Sequence, residues 1–222
     1  MSHMPEVAII DYGMGNLRSV QKGFAQVGVP ATVTRDVAVI RAAAGVVLPG
    51  VGAFGACMDN LRTYGLVDVV RRVIEDGTPF LGICLGLQLL FEESEEFGPV
   101  AGLGVLRGRC VRFRAPADSD IRIPHMGWNQ IRRRQVPAAL AGVEDGSYVY
   151  FVHSYYVEPR DPGLIATVTD YAGEFVSAIA RDNLFACQFH PEKSQRIGLR
   201  VLENFGACVV GSKGAPAHAG AA

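Results

Sequence analysis

The sequence lacks the features that mark several large classes of protein. Its 222 residues carry 21 basic and 22 acidic side chains, a balance that favours neither nucleic acid nor a membrane surface as a partner. It has no apolar run of membrane-spanning length and no signal-peptide pattern, so we expect a cytoplasmic protein. Its five cysteines are an odd number without a C-x-x-C spacing, which argues against both a disulfide framework and a zinc site.

The composition instead predicts one compact domain over residues 1–222. Hydrophobic residues make up 49% of the chain and charged residues 19%, which is enough apolar material for a substantial core. Residues 1–4 are compatible with either an expression tag or a native start. Residues 211–222 are small and include Pro216, so we expect a disordered tail there.

Alternating apolar and amphipathic segments fill the first 90 residues and predict a parallel sheet with helices on both faces. The predicted strands are 7–10, 32–34, 45–48 and 80–84, and the predicted helices are 17–27, 56–62, 67–75 and 85–91. An acidic turn at 92–96 is followed by shorter strands, a strand at 148–152, a hairpin over 175–181 and 184–189, and a closing helix at 196–208.

The central stretch is FLGICLGLQ at 80–88, in which Cys84 is framed by Gly82 and Gly86 between a strand and a helix. A nucleophile at such a turn is held in strained geometry with its side chain exposed above the sheet. The amino end of the following helix favours a thiolate, and the backbone N–H of Leu85 is placed to stabilise an oxyanion. A lone cysteine in an apolar run is more often a core residue, as we expect for Cys57, Cys110, Cys187 and Cys208.

A second stretch, FACQFHPE at 185–192, ends a predicted strand with a base and a carboxylate. Pro191 holds His190 extended, and residues two apart on extended chain face the same way. Glu192 is therefore expected to orient the ring of His190, so that Cys84, His190 and Glu192 form a nucleophile, a base and an orienter. His153 is a rival base, but it has no carboxylate two residues further on.

Other segments leave two interpretations open. The glycine-rich PGVGAFG at 49–55 is typical either of a loop that brings backbone N–H groups close to a ligand or of a flexible connection.

Gly13 and Gly15 do not make a dinucleotide fingerprint, because Arg18 stands where the third glycine is required. Trp128 is either a core aromatic or an interface anchor, and composition alone favours the core.

Taken together, the two stretches resemble those of the class I, triad-type glutamine amidotransferases. The resemblance extends over most of the chain. The flanking segments are similar, more narrowly, to those of the glutaminase subunits of imidazole glycerol phosphate synthase. These segments are DYGMGNL at 11–17, PGVGAF at 49–54, HMGWN at 125–129, YFVHSY at 150–155 and HPEKS at 190–194.

The resemblance implies an α/β fold with a flavodoxin-like, mostly parallel mixed sheet, flanking helices and additional antiparallel strands. It implies a heterodimer with a cyclase subunit, a (βα)₈ barrel for which this chain is too short. It also implies glutamine hydrolysis with neither an organic cofactor nor a metal, and ammonia passed to the cyclase. The glutamine pocket would then be formed by Gly52, Gln88, Ser154 and Tyr155, and the cyclase interface would include Asn16, Trp128 and Lys193.

The second oxyanion donor is expected from the backbone of the 49–52 loop. A peptide flip there would switch the enzyme on only when the partner is loaded. Gly52 is the preferred donor, because glycine tolerates positive φ, whereas flipping the Gly50–Val51 peptide would strain a β-branched residue. Val51 stays open as the alternative donor, because strain at a switch can be part of its mechanism. Three rivals remain: a glutaminase subunit of another pathway, a γ-glutamyl peptidase, and a non-catalytic scaffold whose Cys84 senses redox state.

Overall fold

The computed structural model describes residues 6–115 and 120–212. The expectations for residues 1–4 and 213–222 lie outside these ranges. Residues 211 and 212 continue the last helix, so the prediction of a disordered tail is wrong for these two residues. Within the described ranges, no helix combines the length and the apolar character needed to cross a membrane.

The described chain contains six α-helices and fourteen strands. The helices are α1 (Leu17–Gln26), α2 (Val37–Ala42), α3 (Phe54–Thr63), α4 (Val67–Glu75), α5 (Leu85–Gln88) and α6 (Gln195–Ser212). The strands are β1 (Val7–Ile10), β2 (Ala31–Thr34), β3 (Gly45–Gly50), β4 (Phe80–Cys84), β5 (Phe91–Ser94), β6 (Val100–Ala101), β7 (Leu106–Arg112), β8 (His125–Gln130), β9 (Arg132–Arg133), β10 (Tyr148–His153), β11 (Tyr155–Pro159), β12 (Ile165–Asp170), β13 (Glu174–Arg181) and β14 (Leu184–Cys187). Short 3₁₀ helices lie at Ala138–Leu140, Pro162–Leu164 and Pro191–Lys193.

Twelve strands form one mixed sheet, in which the order β2-β1-β3-β4-β14 is entirely parallel. This is the order of a flavodoxin-like doubly wound sheet. From β14 the sheet continues through β13, β11 and β7 by antiparallel pairs, and β8 and β10 form a separate antiparallel ribbon. The predicted α/β fold is confirmed.

The core lies in two layers, one on each face of the parallel strands. Every residue of β1, β3 and β4 is buried, as expected for strands covered on both faces. One layer includes side chains from α3 and α4, and the other includes side chains from α1 and α6. The apolar stripes predicted for these helices therefore face the sheet.

The segment after Cys84 differs from its prediction. The helix expected over 85–91 ends at Gln88, and the expected acidic turn at 92–96 begins with the strand β5. Phe91 is fully buried and pairs with Leu106 of β7, a partner that local periodicity does not reveal. The run of buried apolar residues fits a helix and a strand equally well, and the distant pairing decides between them.

Candidate active site

The turn between β4 and α5 places Cys84 in a strained conformation. Its backbone has φ 55° and ψ −109°, values that side-chain-bearing residues rarely adopt outside functional sites. A Cβ atom on Gly86 would lie 1.8 Å from the carbonyl oxygen of Leu48, so only glycine permits this close packing. Because α5 has a single turn of four residues, its macrodipole is smaller than the predicted longer helix would supply.

The fold brings His190 and Glu192 to the same edge of the sheet as Cys84. Strand β14 runs parallel to β4 with Cys187 opposite Ile83, so both chains leave the sheet at one end. His190 is extended, and its Nδ1 atom lies 2.8 Å from Oε1 of Glu192. Both side chains are almost fully buried, at 2% and 1% exposure, and this holds the ring in one orientation.

The electrostatics of this trio favour a charged imidazole. Burial alone would lower the pKa of His190, but the Cys84 sulfur and the Glu192 carboxylate together raise it to about 10. The Nε2 atom of His190 has no hydrogen-bond partner within the described ranges, and the Cys84 sulfur is the neighbour that raises the pKa of the ring most. The arrangement can hold a thiolate–imidazolium pair whose Nε2 proton is available for transfer.

The 49–52 loop lies directly beside the nucleophile, because Gly50 is the register partner of Cys84 across β3 and β4. A Cβ atom on Gly50 would lie 2.8 Å from both the Cβ of Leu85 and the hydroxyl of Tyr12. That hydroxyl donates a hydrogen bond of 2.8 Å to the Pro49 carbonyl, which ties the loop to the core. Gly52 has φ +94°, whereas Val51 is not among the residues with positive φ.

Two predicted pocket residues touch each other close to the sulfur. Gln88 donates from Nε2 to the Tyr155 carbonyl at 2.9 Å and to Oε1 of Gln188 at 3.0 Å. Gln188 in turn donates from Nε2 to the Cys84 sulfur at 3.6 Å. Ser154 stands between β10 and β11, next to Tyr155. The structure therefore joins Gln88, Tyr155 and Cys84 through a residue that the sequence analysis did not single out.

His153 is not available as a base, because it belongs to a buried pair with His125. Its Nδ1 lies 2.8 Å from the Tyr155 carbonyl, which can only accept, and its Nε2 lies 3.1 Å from Nδ1 of His125. Asn129 donates to Nε2 of His125 at 3.3 Å. Burial lowers the pKa of His125 to about 4 and that of His153 to about 3, so both rings are neutral.

Trp128 lies on the open face of the β8–β10 ribbon and is 46% exposed, so the core position that composition favoured is wrong. Its ring centroid lies 6.0 Å from that of Tyr150, and the ammonium of Lys193 lies 5.8 Å above the same tyrosine ring. The structure therefore places both Trp128 and Lys193 next to the ring of Tyr150. Asn16 stands at the N-cap position of α1, without a described contact to either residue.

Sequence reasoning missed three residues that hold the site: Tyr12, His125 and Gln188. Gln188 carried a usable signal, since it is the one polar residue between Phe185 and Phe189 and stands two positions before His190. Tyr12 and His125 gave weaker signals, because their roles depend on contacts with distant segments. Within the described ranges, no cluster of three histidine, cysteine or acidic side chains could hold a metal ion.

Comparison with known proteins agrees with this geometry. The family model "Glutamine amidotransferase class-I" matches residues 8–207. The imidazole glycerol phosphate synthase subunit HisH of Syntrophotalea carbinolica is 56% identical over 90% of this chain and 98% of its own length. The HisH of Geobacter metallireducens is 53% identical over 91% of this chain and 98% of its own.

A solved structure of low sequence identity has the same fold. The crystal structure of a glutamine amidotransferase superposes with a TM-score of 0.70 at 19% identity, covering 91% of this chain and 98% of its own. The chain therefore belongs to the class I glutamine amidotransferases and, within them, to the HisH family of imidazole glycerol phosphate synthase subunits.

Proposed function

We propose that this chain hydrolyses glutamine as the glutaminase subunit of imidazole glycerol phosphate synthase, with Cys84, His190 and Glu192 as its catalytic triad. The observation that carries the triad is the buried Glu192–His190 pair, whose Nε2 atom has no hydrogen-bond partner in the described ranges and whose pKa is raised by the sulfur of Cys84 at the strained strand-to-helix turn. Membership of the HisH family supports the choice of this subunit over the glutaminases of other pathways.

The first half-reaction forms a thioester. The Cys84 thiolate attacks the carboxamide carbon of glutamine, and the developing oxyanion accepts hydrogen bonds from the Leu85 N–H and from the 49–52 loop. His190 donates its Nε2 proton to the nitrogen as the carbon–nitrogen bond breaks, so ammonia leaves as a neutral molecule. Glu192 keeps the imidazole oriented throughout.

The second half-reaction regenerates the enzyme. Neutral His190 accepts a proton from a water molecule as that water attacks the thioester carbon. Collapse of the intermediate breaks the carbon–sulfur bond, which releases glutamate and restores the Cys84 thiolate beside protonated His190. Gln88, Ser154, Tyr155 and Gly52 are proposed to bind the glutamine.

The open face of the β8–β10 ribbon is the proposed docking surface for the cyclase subunit. Met126, Trp128 and Tyr148 expose 63%, 46% and 56% of their surfaces there, an unusual concentration of large apolar groups. The same ribbon borders the active site, because the Val152 carbonyl lies 3.9 Å from the Cys84 sulfur. Neutral ammonia would have only a short path to a partner bound there, before water could protonate it.

We further propose a heterodimer with the cyclase, a single amidotransferase domain over residues 1–222 and a cytoplasmic location. We also propose a gate in the 49–52 loop that keeps the isolated chain nearly silent. The gate is supported by the positive φ of Gly52, which stands two residues after Gly50, the register partner of the nucleophile.

Glutamate release from glutamine, measured with and without a cyclase barrel and its nucleotide, tests the function. We expect very low release from the chain alone, a rise of at least about a hundred-fold in the loaded complex, and none above background with Cys84→Ala. Release that survives Cys84→Ala but disappears with Cys187→Ala would refute the nucleophile. Full activity in the chain alone would refute the gate and leave the triad standing.

Affinity for the cyclase tests the docking surface. Trp128→Ala should weaken binding by about 2 kcal/mol or more, because a large aromatic at the centre of an interface loses its whole contact area. Val210→Ala is the control, since Val210 is an apolar residue that is 58% exposed on α6 and not on the ribbon itself. Unchanged affinity in folded Trp128→Ala would exclude Trp128 from the interface.

A further inference from the structure

Gln188 is a fully buried amide that the proposed triad chemistry does not use. It follows the last residue of β14 and stands two residues before His190. Its exposure is 0%, and its backbone N–H donates to the Ser177 carbonyl at 2.8 Å. The cost of burying an amide implies that each of its side-chain groups has a specific partner.

The surrounding hydrogen bonds determine which end of the Gln188 amide faces the sulfur. The Tyr155 carbonyl can only accept, so the Gln88 group 2.9 Å from it must be the NH₂. The same NH₂ group lies 3.0 Å from Gln188, which must present its oxygen there. The remaining group of Gln188, 3.6 Å from the Cys84 sulfur, is therefore its NH₂.

This donor differs from the backbone contact of the sulfur. The Val152 carbonyl, 3.9 Å away, accepts a hydrogen bond only from the protonated thiol and so favours the neutral form. An N–H directed at sulfur favours the thiolate, because hydrogen bonds to a charged acceptor are the stronger ones. The charged residue beside the Cys84 sulfur is His190. His153 is neutral, and its Nδ1 atom is hydrogen-bonded to the Tyr155 carbonyl.

We propose that Gln188 is a further catalytic residue, whose side-chain N–H stabilises the Cys84 thiolate before attack and again when the thioester carbon–sulfur bond breaks. The proposal rests on the proposed function, because it assigns Gln188 to the same reaction. Gln88 would then have two roles, as part of the glutamine pocket and as the group that fixes the direction of the Gln188 amide.

Alkylation of Cys84 by iodoacetamide tests this without glutamine or a partner. The rate is followed on the Cys84 peptide by mass spectrometry as a function of pH, in the wild type, Gln188→Met and the control Gln21→Leu. Gln21 also donates one amide hydrogen bond, to the Ala31 carbonyl, but it lies on α1. Loss of a hydrogen bond to a charged group should slow alkylation of Gln188→Met about ten- to a hundred-fold near neutral pH.

The pH dependence separates a catalytic role from a purely structural one. We expect the midpoint of the alkylation profile to rise by about one to two pH units in Gln188→Met and to stay unchanged in Gln21→Leu. Gln88→Met, which leaves the Gln188 donor present but unfixed, should give a smaller rise and serves as the test if Gln188→Met does not fold. A wild-type midpoint in a folded Gln188→Met, or in its place Gln88→Met, would overturn the proposal, whether or not the chain proves to be a glutaminase.

Discussion

The buried histidines near Cys84 form two groups that behave in opposite ways: His190 by itself, and the pair of His125 and His153. His190, at 2% exposure, has its pKa raised to about 10, while His125 and His153, at 3% and 6%, have theirs lowered to about 4 and about 3. Burial is nearly equal at the three positions and by itself disfavours the charged ring at all of them. The partners therefore decide the difference.

His190 lies beside a carboxylate and a cysteine sulfur, both of which raise its pKa, whereas His125 and His153 are hydrogen-bonded only to neutral groups. A carboxylate holds Nδ1 of His190, and a cysteine sulfur lies by its Nε2. His153 instead uses one nitrogen on a carbonyl and the other on His125. A histidine with a charged orienter and a free nitrogen can transfer protons, and one with both nitrogens occupied by neutral groups can only position its neighbours.

Replacing one histidine from each group should give the largest contrast. In the complex with the cyclase, His190→Ala should lower kcat for glutamate release about a thousand-fold or more, because proton donation to the leaving nitrogen is lost. His153→Gln should cost about ten-fold or less, since its amide can still donate to the Tyr155 carbonyl. Comparable losses in the two variants would assign His153 a direct part in the chemistry.

A substitution in the 49–52 loop tests whether a charged His190 is sufficient for catalysis when an oxyanion donor is misplaced. Gly52→Ala introduces a side chain at φ +94°, where only glycine is unstrained, so the loop should rearrange and misplace an oxyanion donor. The activated rate in the loaded complex should fall about a hundred- to a thousand-fold while the pKa of His190 stays raised. Ala53→Gly at the next position controls for general loosening of the loop, and full activation of a folded Gly52→Ala would exclude Gly52 from the switch.

Acid unfolding separates the two groups by the sign of their pKa shifts. The folded-state pKa values of His125 and His153 lie below the usual 6.5. The contribution of the two neutral rings to the free energy of unfolding is therefore fully present above pH 6.5, and it is lost as the pH falls towards the folded-state pKa values. Each should lower the free energy of unfolding by about 2 to 3 kcal/mol between neutral pH and about pH 4.5. Urea unfolding at both pH values should show a smaller loss in His153→Gln. His190→Gln, whose shift has the opposite sign, should retain the full loss, and identical losses in His153→Gln and the wild type would contradict the neutral pair.

The sequence alone was sufficient to predict the residues whose roles depend on local backbone geometry. A cysteine between two glycines and a histidine two positions from a glutamate each indicate their arrangement within a few residues, and so does the alternation of strands and helices. Contacts between distant segments were not predictable. The strand β5 depends on pairing with β7, the hydrogen bond at Nε2 of His153 depends on His125, and the exposure of Trp128 depends on which face of the ribbon packs against the core.

The smallest expected effect tests whether the Cys84 sulfur is what separates the two groups of histidines. Cys84→Ala removes the sulfur, which raises the pKa of His190, and leaves the burial of the ring, which lowers it. The pKa of His190 should therefore fall. It should fall only part of the way to the values of the neutral pair, because the Glu192 carboxylate still lies 2.8 Å from Nδ1. His125 and His153 should titrate as in the wild type, since their lowered pKa values come chiefly from burial. Nitrogen-15 chemical shifts of labelled histidines, followed with pH in both proteins, measure all three rings at once. A His190 that titrates identically in both would show that Glu192 alone keeps it charged, and the comparison would then depend on one carboxylate and not on the nucleophile.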